Sequence, residues 1–315
     1  MLPVLENGEE TTLVGGQAVM EGVMMRSPHS YCVAVRKPDG EIVTQESPLA
    51  RLSDRYPIFK VPVFRGLGTL GSAMWLGMKS LKFSADCALE TVKGKPVQPE
   101  TKEGGNGSMV FQILFSLAFM IALYKFVPLY LATLIGKHFE VVSGRFAINM
   151  MDGTIRIAIF LGFMLLLSRM KEMRKVFEYH GAEHKVVFNF ESGQPVTVEN
   201  AQRFVTWHPR CGTSFLVVVL VIAMICYAFL PIDNFWAKFA ARITLLPLIV
   251  GLSYEVIRFA AKRRAGLMAA LTTPGLWLQR VTTQPPSNEQ AEVAIRALER
   301  AMDLEKSQGG VPVIA

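Results

Sequence analysis

The chain has 315 residues, of which 51% are hydrophobic and 19% charged, and its mean hydropathy is +0.31. These values are high for a soluble globular protein, so they favour a mainly α-helical, polytopic membrane protein. The formal net charge of +7 does not indicate nucleic-acid binding, because the basic residues cluster beside apolar runs and no aromatic-studded basic stripe is present. Membrane topology and anionic lipid explain this charge better.

The first 90 residues are predicted to form a cytoplasmic module. No cleavable signal peptide is expected, since Met1 to Glu10 is acidic and lacks a basic start followed by an apolar core. The glycine-rich stretch Gly15 to Arg26 allows tight backbone turns, and its charged residues Glu21 and Arg26 are candidates for substrate binding. A solvent-facing ion pair is the alternative for these two side chains.

A β-hairpin is predicted next. Tyr31 to Arg36 alternates in the manner of a strand, Lys37 to Gly40 is a turn, and the alternation resumes at residues 41–45. Residues 61–78 are largely apolar, and we expect an interfacial or partly buried helix rather than a span. Residues 91–108 are rich in Lys, Pro, Glu, Gly and Asn, which predicts a flexible linker.

Four long apolar runs follow, each about the length needed to cross a hydrocarbon core of roughly 30 Å. They predict a transmembrane four-helix bundle over residues 109–258. Lys125 and Arg156 interrupt two of the runs, and we expect both to lie near one end of a helix. Arg242 and Glu255 leave the last run only a short uncharged centre. The runs are Met109 to Gly136, Gly153 to Met170, Thr213 to Ile232 and Phe239 to Ile257.

The loop over residues 171–212 contains the pattern H-x-x-E-H and, further on, a His-Pro-Arg-Cys string. If residues 176–186 are helical, the two histidines project from one face with the glutamate beside them. Imidazole and thiolate are normal zinc ligands, and a glutamate beside the metal can take a proton from metal-bound water. The predicted metal ligands are His180, His184, His208 and Cys211, with Glu183 as the catalytic base.

Several alternatives stay open for this loop. A full set of three histidines and one cysteine would be a closed structural site, whereas three ligands and a water would be catalytic. His184 and His208 can also simply cap helices or bond to the backbone. Glu255 is a conceivable distant ligand or substrate-binding group, or else an interfacial partner of Arg258. Arg210 is a candidate for substrate binding or a lipid-phosphate anchor.

Residues 259–315 are predicted to form cytoplasmic amphipathic helices. Thr272 to Gly275 interrupts the chain, and Ser287 with Gln290 forms a capping box for a last helix. Its apolar residues recur at helical spacing, so this stripe should pack against the cytoplasmic module. The stripe comprises Ala291, Ile295, Leu298 and Met302.

Basic residues orient the predicted bundle. They precede the first apolar run and follow the second and the fourth, whereas the other two loops carry few. Both termini, and the loop with the histidines, are therefore expected on the cytoplasmic side of the plasma (inner) membrane. The expected partner is the lipid bilayer.

Several strings resemble the YqhQ-like family of bacterial membrane proteins, also known as domain of unknown function 1385. They are GGQAVMEGVMMRSP, YHGAEHK, HPRCGTSF, and TTPGLWLQRVTT followed by EVAIRALE. The resemblance covers nearly the whole chain and implies a multi-span membrane protein with a suspected metal site. The matching positions are Glu21, Arg26, His180, Glu183, His184, His208, Arg210 and Cys211.

Two functions are compatible with these patterns. The first is a membrane-embedded hydrolase that depends on a divalent metal, most simply zinc, and acts on a membrane-proximal substrate. The second is a non-catalytic scaffold or assembly factor in which the His/Cys cluster is structural. Transport is disfavoured at this stage, because no charged or broken pair of spans is apparent in the sequence.

Overall fold

The computed structural model describes residues 14–50, 56–93, 106–209, 211–263 and 267–308. This part of the chain is mainly helical, with a small antiparallel sheet near the N-terminus. The strands are β1 (Gly15–Val19), β2 (Gly22–Arg26), β3 (Ser30–Arg36) and β4 (Ile42–Pro48). The helices are α1 (Phe64–Lys93), α2 (Asn106–Ile121), α3 (Val127–His138), α4 (Arg145–Leu167), α5 (Lys171–Glu191), α6 (Val198–Gln202), α7 (Gly212–Ala228), α8 (Phe235–Thr244), α9 (Leu246–Arg263), α10 (Leu267–Thr282) and α11 (Asn288–Ser307).

The four strands lie in sequence order, and each pairs antiparallel with the next. The predicted hairpin is confirmed as β3 and β4, where Arg36 pairs with Ile42. A second hairpin, β1 and β2, occupies the glycine-rich stretch that the sequence analysis left without secondary structure. Its turn closes between Val19 and Gly22, and Glu21 adopts a positive φ of 51° there.

The sheet is covered on both faces, because successive side chains of a strand point to opposite sides. Val23 and Met25 of β2 face a core that also takes side chains from α5 and α11. Met24, on the same strand, faces the opposite core with Leu76 of α1. The N-terminal module is therefore a three-layer unit of α1, the sheet, and the α5 and α11 pair.

Helix α1 is longer than the apolar stretch that predicted it, and its last three residues fall in the predicted linker. Residues 94–105 of that linker lie outside the described residues, and α2 already begins at Asn106. One side of α1 is buried at Leu76, whereas Met74, Trp75 and Met78 are exposed. The helix is confirmed, and its interfacial position stays a prediction.

Two helical stretches are long and apolar enough to cross a membrane: Leu114–His138 and Arg145–Leu167. A third exists if α8 and α9, which meet at a bend of 50°, count as one span. Helix α7 is also apolar but has only 17 residues. Among the described residues, the structure thus supports two or three candidate spans rather than the four that the sequence predicts.

Lys125 and Arg156 do not lie near helix ends, so that expectation is wrong. Arg156 is 11 residues from each end of α4, because this helix begins at Arg145, well before the apolar run that revealed it. Lys125 lies in a π-helical segment, Ala122–Phe126, that joins α2 to α3 in the middle of the first candidate span.

Helix α10 continues through Pro274, although the sequence predicts an interruption at 272–275. A Cβ placed on Gly275 would lie 2.5 Å from the Cα of Ser214 in α7. The absence of a side chain at Gly275 thus lets α10 approach α7 closely.

Helix α11 begins with the predicted capping box. The Ser287 hydroxyl accepts from the Gln290 backbone N–H, and the Gln290 side chain accepts from the Ser287 N–H. The predicted stripe, including Ile295 and Leu298, packs against α5 and the sheet. Near its other end, the buried Glu305 carboxylate accepts from the Ser27 hydroxyl at 2.6 Å and from the His29 backbone N–H at 2.9 Å. These bonds fasten the helix to the turn before β3.

Replacing Glu305 with Gln is expected to weaken the docking of α11 by about 3 kcal/mol, because the buried acceptor group loses its charge and one of its two acceptor oxygens. Amide hydrogen exchange in α11 should then become roughly 100-fold faster. The matched control is Glu299→Gln, an exposed glutamate on the same helix. Equal exchange rates in the two variants would contradict a docking role for Glu305.

The same carboxylate predicts a pH dependence. Burial alone would raise the pKa of Glu305, but hydrogen bonds from Ser27 and His29 outweigh it and hold the pKa below its ordinary value of 4.5. A carboxyl with a lowered folded-state pKa stabilises fully above 4.5, and this contribution is lost as the pH falls through the folded value. Protection of α11 should decline in that acid range in the wild type and stay flat in the Gln variant.

Candidate metal site

Helix α5 carries the three residues of the H-x-x-E-H pattern on one surface. It begins after Met170, with Glu172 in its first turn, where a negative charge favours the helix. His180 and His184 are one turn apart, and their ring centroids are 4.5 Å apart. The spacing predicted from the sequence therefore gives two adjacent imidazoles.

Backbone carbonyls fix the orientation of both rings. His180 Nδ1 donates to the Thr282 carbonyl oxygen at 2.8 Å, and His184 Nδ1 donates to the carbonyl of Thr206. A carbonyl oxygen can only accept, so each Nδ1 carries a hydrogen, and Nε2 is the ring atom left to bind a metal. This is the usual support of a metal-binding histidine.

Cys211 completes the group. It is the residue before α7, and its Sγ lies 3.2 Å from His180 Nε2. One donor atom from each of His180, His184 and Cys211 falls within 4.8 Å of the others. Zinc bonds of 2.0–2.3 Å place tetrahedral ligands about 3.5 Å apart, so only a small contraction would seat a metal ion.

The electrostatics of the group suit a cation. Burial raises the pKa of the Cys211 thiol, but the imidazoles of His180 and His184 outweigh it and hold that pKa well below its usual value. Burial lowers the pKa of His180, yet the Cys211 sulfur raises it to about 9. The metal-free group is therefore a thiolate–imidazolium pair, in which a metal ion would replace the proton.

His208 lies beside this group, not within it. Its ring centroid is 5.6 Å from that of His184 and 4.5 Å from that of Phe188, and its Nε2 is 3.5 Å from a carboxylate oxygen of Glu191. Its backbone N–H donates to the Gln279 side chain at 2.7 Å. Burial lowers the pKa of His208, against the opposing influence of Glu183 and Cys211.

Glu183 points toward the N-terminal sheet. One of its carboxylate oxygens accepts from the Gly16 backbone N–H of β1 at 3.0 Å, and the side chain is buried. Its charge is close enough to act on both His180 and His208. The proposed base is thus near the imidazoles, and β1 holds it in place.

Glu21 and Arg26 do not pair with each other. Glu21 lies in the exposed turn between β1 and β2, 2.7 Å from the Lys175 ammonium group of α5. Arg26 ends β2, where burial lowers the pKa of its guanidinium and Tyr254 opposes this effect. The structure places neither side chain in the His/Cys group.

Glu255 is engaged elsewhere. Its carboxylate forms a two-point ion pair with Arg65 of α1, at 2.6 Å for one of the two contacts, and also accepts from the Val63 backbone N–H at 3.3 Å. The ion-pair partner of Glu255 is therefore Arg65, 190 positions away in the chain, and not the expected Arg258. Arg210, the remaining sequence candidate, lies outside the described residues.

Sequence reasoning missed the groups that hold the ligands in place. The carbonyls of Thr206 and Thr282 and the N–H of Gly16 are backbone atoms, which no residue pattern identifies. The one available signal is Gly181, inside the motif. A Cβ there would lie 3.2 Å from the Gln284 carbonyl carbon, so glycine is required for the 282–284 segment to reach α5.

Comparison with known proteins connects this site to a family. Residues 61–304 match the family model described as protein of unknown function, DUF1385. The chain is also similar to the uncharacterized protein YqhQ of Bacillus subtilis strain 168, at 35% identity over 298 residues that cover 92% of each chain. No solved structure matches. The matched region contains the whole His/Cys group.

Proposed function

This chain belongs to the DUF1385 family, and we propose that it is a membrane-bound, zinc-dependent hydrolase with its site at the cytoplasmic surface. The observation that carries the proposal is the convergence of three donor atoms, from His180, His184 and Cys211, within 4.8 Å. Three protein ligands leave a fourth position for water, which is the arrangement of catalytic zinc sites.

The residues around the metal then have distinct roles. Zinc held by these residues would supply a water of lowered pKa, about 7. Glu183, whose carboxylate is held by the Gly16 N–H, would be the proton acceptor beside it. Because Cys211 immediately precedes the apolar helix α7, the substrate class that suits this location is lipid-linked or membrane-proximal.

We propose four spans: the two longer helical stretches, helix α7, and the bent pair of α8 and α9 counted as one. The distribution of basic residues supports a plasma-membrane protein with both termini, and helix α5, on the cytoplasmic side. A periplasmic-type alkaline phosphatase fused after Gly193 is expected to be inactive, whereas a fusion after Asp233 should be active. Strong activity at Gly193 would overturn this orientation.

Burial of the site favours a second candidate, a structural metal site in a membrane scaffold. The side chains of Glu183, His184 and Cys211 are only 1–5% exposed. Hydrogen bonds of His180 with Thr282 and Cys211, and of His184 with Thr206, hold α5, the segment before α7 and the end of α10 together. In this case the metal would lock the cytoplasmic layers onto the apolar helices and would need no open position.

Cobalt substitution distinguishes these roles without a known substrate. Full-length protein in detergent is expected to bind one Co²⁺ with a thiolate charge-transfer band. Cys211→Ser should lose this band and His208→Gln should keep it, since His208 lies outside the three-donor group. Added thiocyanate should alter the visible spectrum only if the fourth position is open. Retention of cobalt affinity and spectrum in both His180→Ala and His184→Ala would refute the site.

Glu183→Gln tests catalysis. It is expected to retain metal and fold but to lose at least about 100-fold in hydrolysis of a series of micelle-dispersed p-nitrophenyl esters, because the proton acceptor is removed. Glu191→Gln is the matched control, since its carboxylate contacts His208 rather than the metal group. A site closed to thiocyanate, without hydrolysis in the wild type, would support the scaffold instead.

A further inference from the structure

A second group of buried ionisable residues lies among the apolar helices. We call it the bundle cluster, and it consists of Lys125, Asp152, Arg156, Tyr227 and Arg242. The Asp152 carboxylate is 2.6 Å from an Arg156 nitrogen and 2.7 Å from an Arg242 nitrogen. These three side chains are at most 3% exposed. The cluster shares no residue with the His/Cys group.

The Tyr227 ring is the centre of the cluster. The charged groups of Lys125, Arg156 and Arg242 each lie 5.3 Å from its centroid. The Tyr227 hydroxyl donates to the Arg242 carbonyl oxygen at 2.8 Å and accepts from Lys125 Nζ at 3.3 Å. Contacts with an aromatic face favour cations but do not cancel their charge.

Positive charge exceeds negative charge in this cluster. Arginine remains protonated in proteins, so Arg156 and Arg242 contribute two positive charges regardless of the state of Lys125. Within the part of the chain that the structure describes, Asp152 is the carboxylate that acts on them. At least one positive charge is therefore uncompensated in a low-dielectric region, where an unpaired charge is costly.

Several N–H groups in the cluster also have no hydrogen-bond acceptor among the described residues. They are on Arg156 Nη1, Arg242 Nε and Asn149 Nδ2. The Asn149 oxygen accepts from Arg242 Nη2 at 2.8 Å, which places its amide group beside the same guanidinium. Buried donors of this kind are nearly always paired in folded proteins, so these groups indicate a site for an acceptor.

The cluster lies where the helices depart from regular geometry. Lys125 belongs to the π-helical segment, whose Tyr124 carbonyl accepts from Arg156 Nε at 3.1 Å. Arg242 is three residues before the bend of 50° between α8 and α9. Broken helices and π-segments at mid-membrane depth are typical of ion-binding sites. The prediction that no charged or broken pair of spans exists is therefore wrong.

From this charge balance we infer that the bundle cluster binds a small monovalent anion of the halide class. One such ion matches the single uncompensated charge that the two arginines leave. A halide ion accepts hydrogen bonds from any direction, so it can accept from N–H donors of Arg156, Arg242 and Asn149 together. A phosphate group would carry more negative charge than the one positive charge that is left uncompensated, so a monovalent ion fits better.

The test is a chloride titration of full-length protein in detergent, with gluconate replacing chloride at constant ionic strength. Chloride is expected to raise the melting temperature by several degrees in a saturable manner, because it binds the folded state. Arg242→Gln should weaken this response by about tenfold or more. That variant leaves a neutral Asp152–Arg156 pair, so it is expected to fold.

The matched control is Arg145→Gln, which removes the same charge from an exposed position on α4. Its chloride response should equal that of the wild type. Bromide should act like chloride, and its anomalous scattering should lie between Arg156 and Arg242 in crystals. An identical response in Arg242→Gln and the wild type, or stabilisation by phosphate but not by chloride, would overturn the inference.

Discussion

Replacing Asp152 with asparagine is expected to be among the most damaging single changes in this protein. Asp152 is fully buried and is the carboxylate between Arg156 and Arg242. Its loss would leave both guanidinium groups without a counter-charge, and breaking a buried ion pair in this way costs about 3–5 kcal/mol. The measurement is the melting temperature and the monodisperse fraction of the variant after extraction in mild detergent.

The control for this experiment is Asp233→Asn. Asp233 also pairs with an arginine, Arg145, but it is 72% exposed, so its loss should change the stability little. A second change should repair the first. The double variant Asp152→Asn with Arg242→Gln has the same excess of one guanidinium charge as the wild type, and its stability should largely recover. Equal stability of Asp152→Asn and Asp233→Asn would contradict the ion-pair argument.

Replacing Gly181 with alanine is expected to disrupt the His/Cys group. The added methyl would collide with the Gln284 carbonyl, whose segment is held to α5 by a hydrogen bond of 2.9 Å from the Gln284 N–H to the Phe177 oxygen. Moving this segment also moves the Thr282 carbonyl that orients His180. We expect a loss of about 3 kcal/mol in stability and of 10- to 100-fold in metal affinity.

Gly162→Ala is the matched control, because it adds the same methyl to α4 at a position with open space around it. This variant should be as stable as the wild type or more stable, since alanine favours a helix. Zinc titration and thermal unfolding of the two variants make the comparison. If Gly181→Ala binds zinc with wild-type affinity, the Gln284 segment does not position the ligand.

The local part of the candidate site is readable from the sequence, and the rest is not. The helical spacing of His180 and His184 requires only one regular helix. Whether Cys211 or His208 joins them depends on how the segment before α7 folds back over α5, and the two residues are only three positions apart. The sequence gives both residues the same standing as ligands, whereas their distances from the α5 histidines are set by tertiary packing.

The β1–β2 hairpin escaped prediction for a different reason. Its strands consist mainly of glycine, methionine, alanine and polar residues, and each contains a single β-branched residue, Val19 or Val23. Its turn has Glu21 at a positive φ where Gly or Asn is usual. The β3–β4 hairpin, with regular alternation and a Pro-Asp-Gly turn, gave a clear signal by comparison.

The apolar runs also led to a wrong prediction of where the charged residues of the bundle cluster lie in their helices. A window chosen for high apolar content tends to end at a charged residue, so it places that residue near an edge. Helix α4 instead continues eight residues before the apolar run, to Arg145, and carries both Asp152 and Arg156 in its central turns. The ion pair between these two residues explains how both charges are accommodated in the middle of the helix.

In the proposed topology, the length of α7 would constrain the surrounding bilayer. Seventeen residues extend about 25 Å, which is less than the roughly 30 Å of an ordinary hydrocarbon layer. If Cys211 lies near the lipid headgroups at one end, the Tyr227 end would stop short of the opposite leaflet surface unless the membrane thins beside it. Either geometry would shorten the distance through the apolar layer that separates the buried arginines from water on that side.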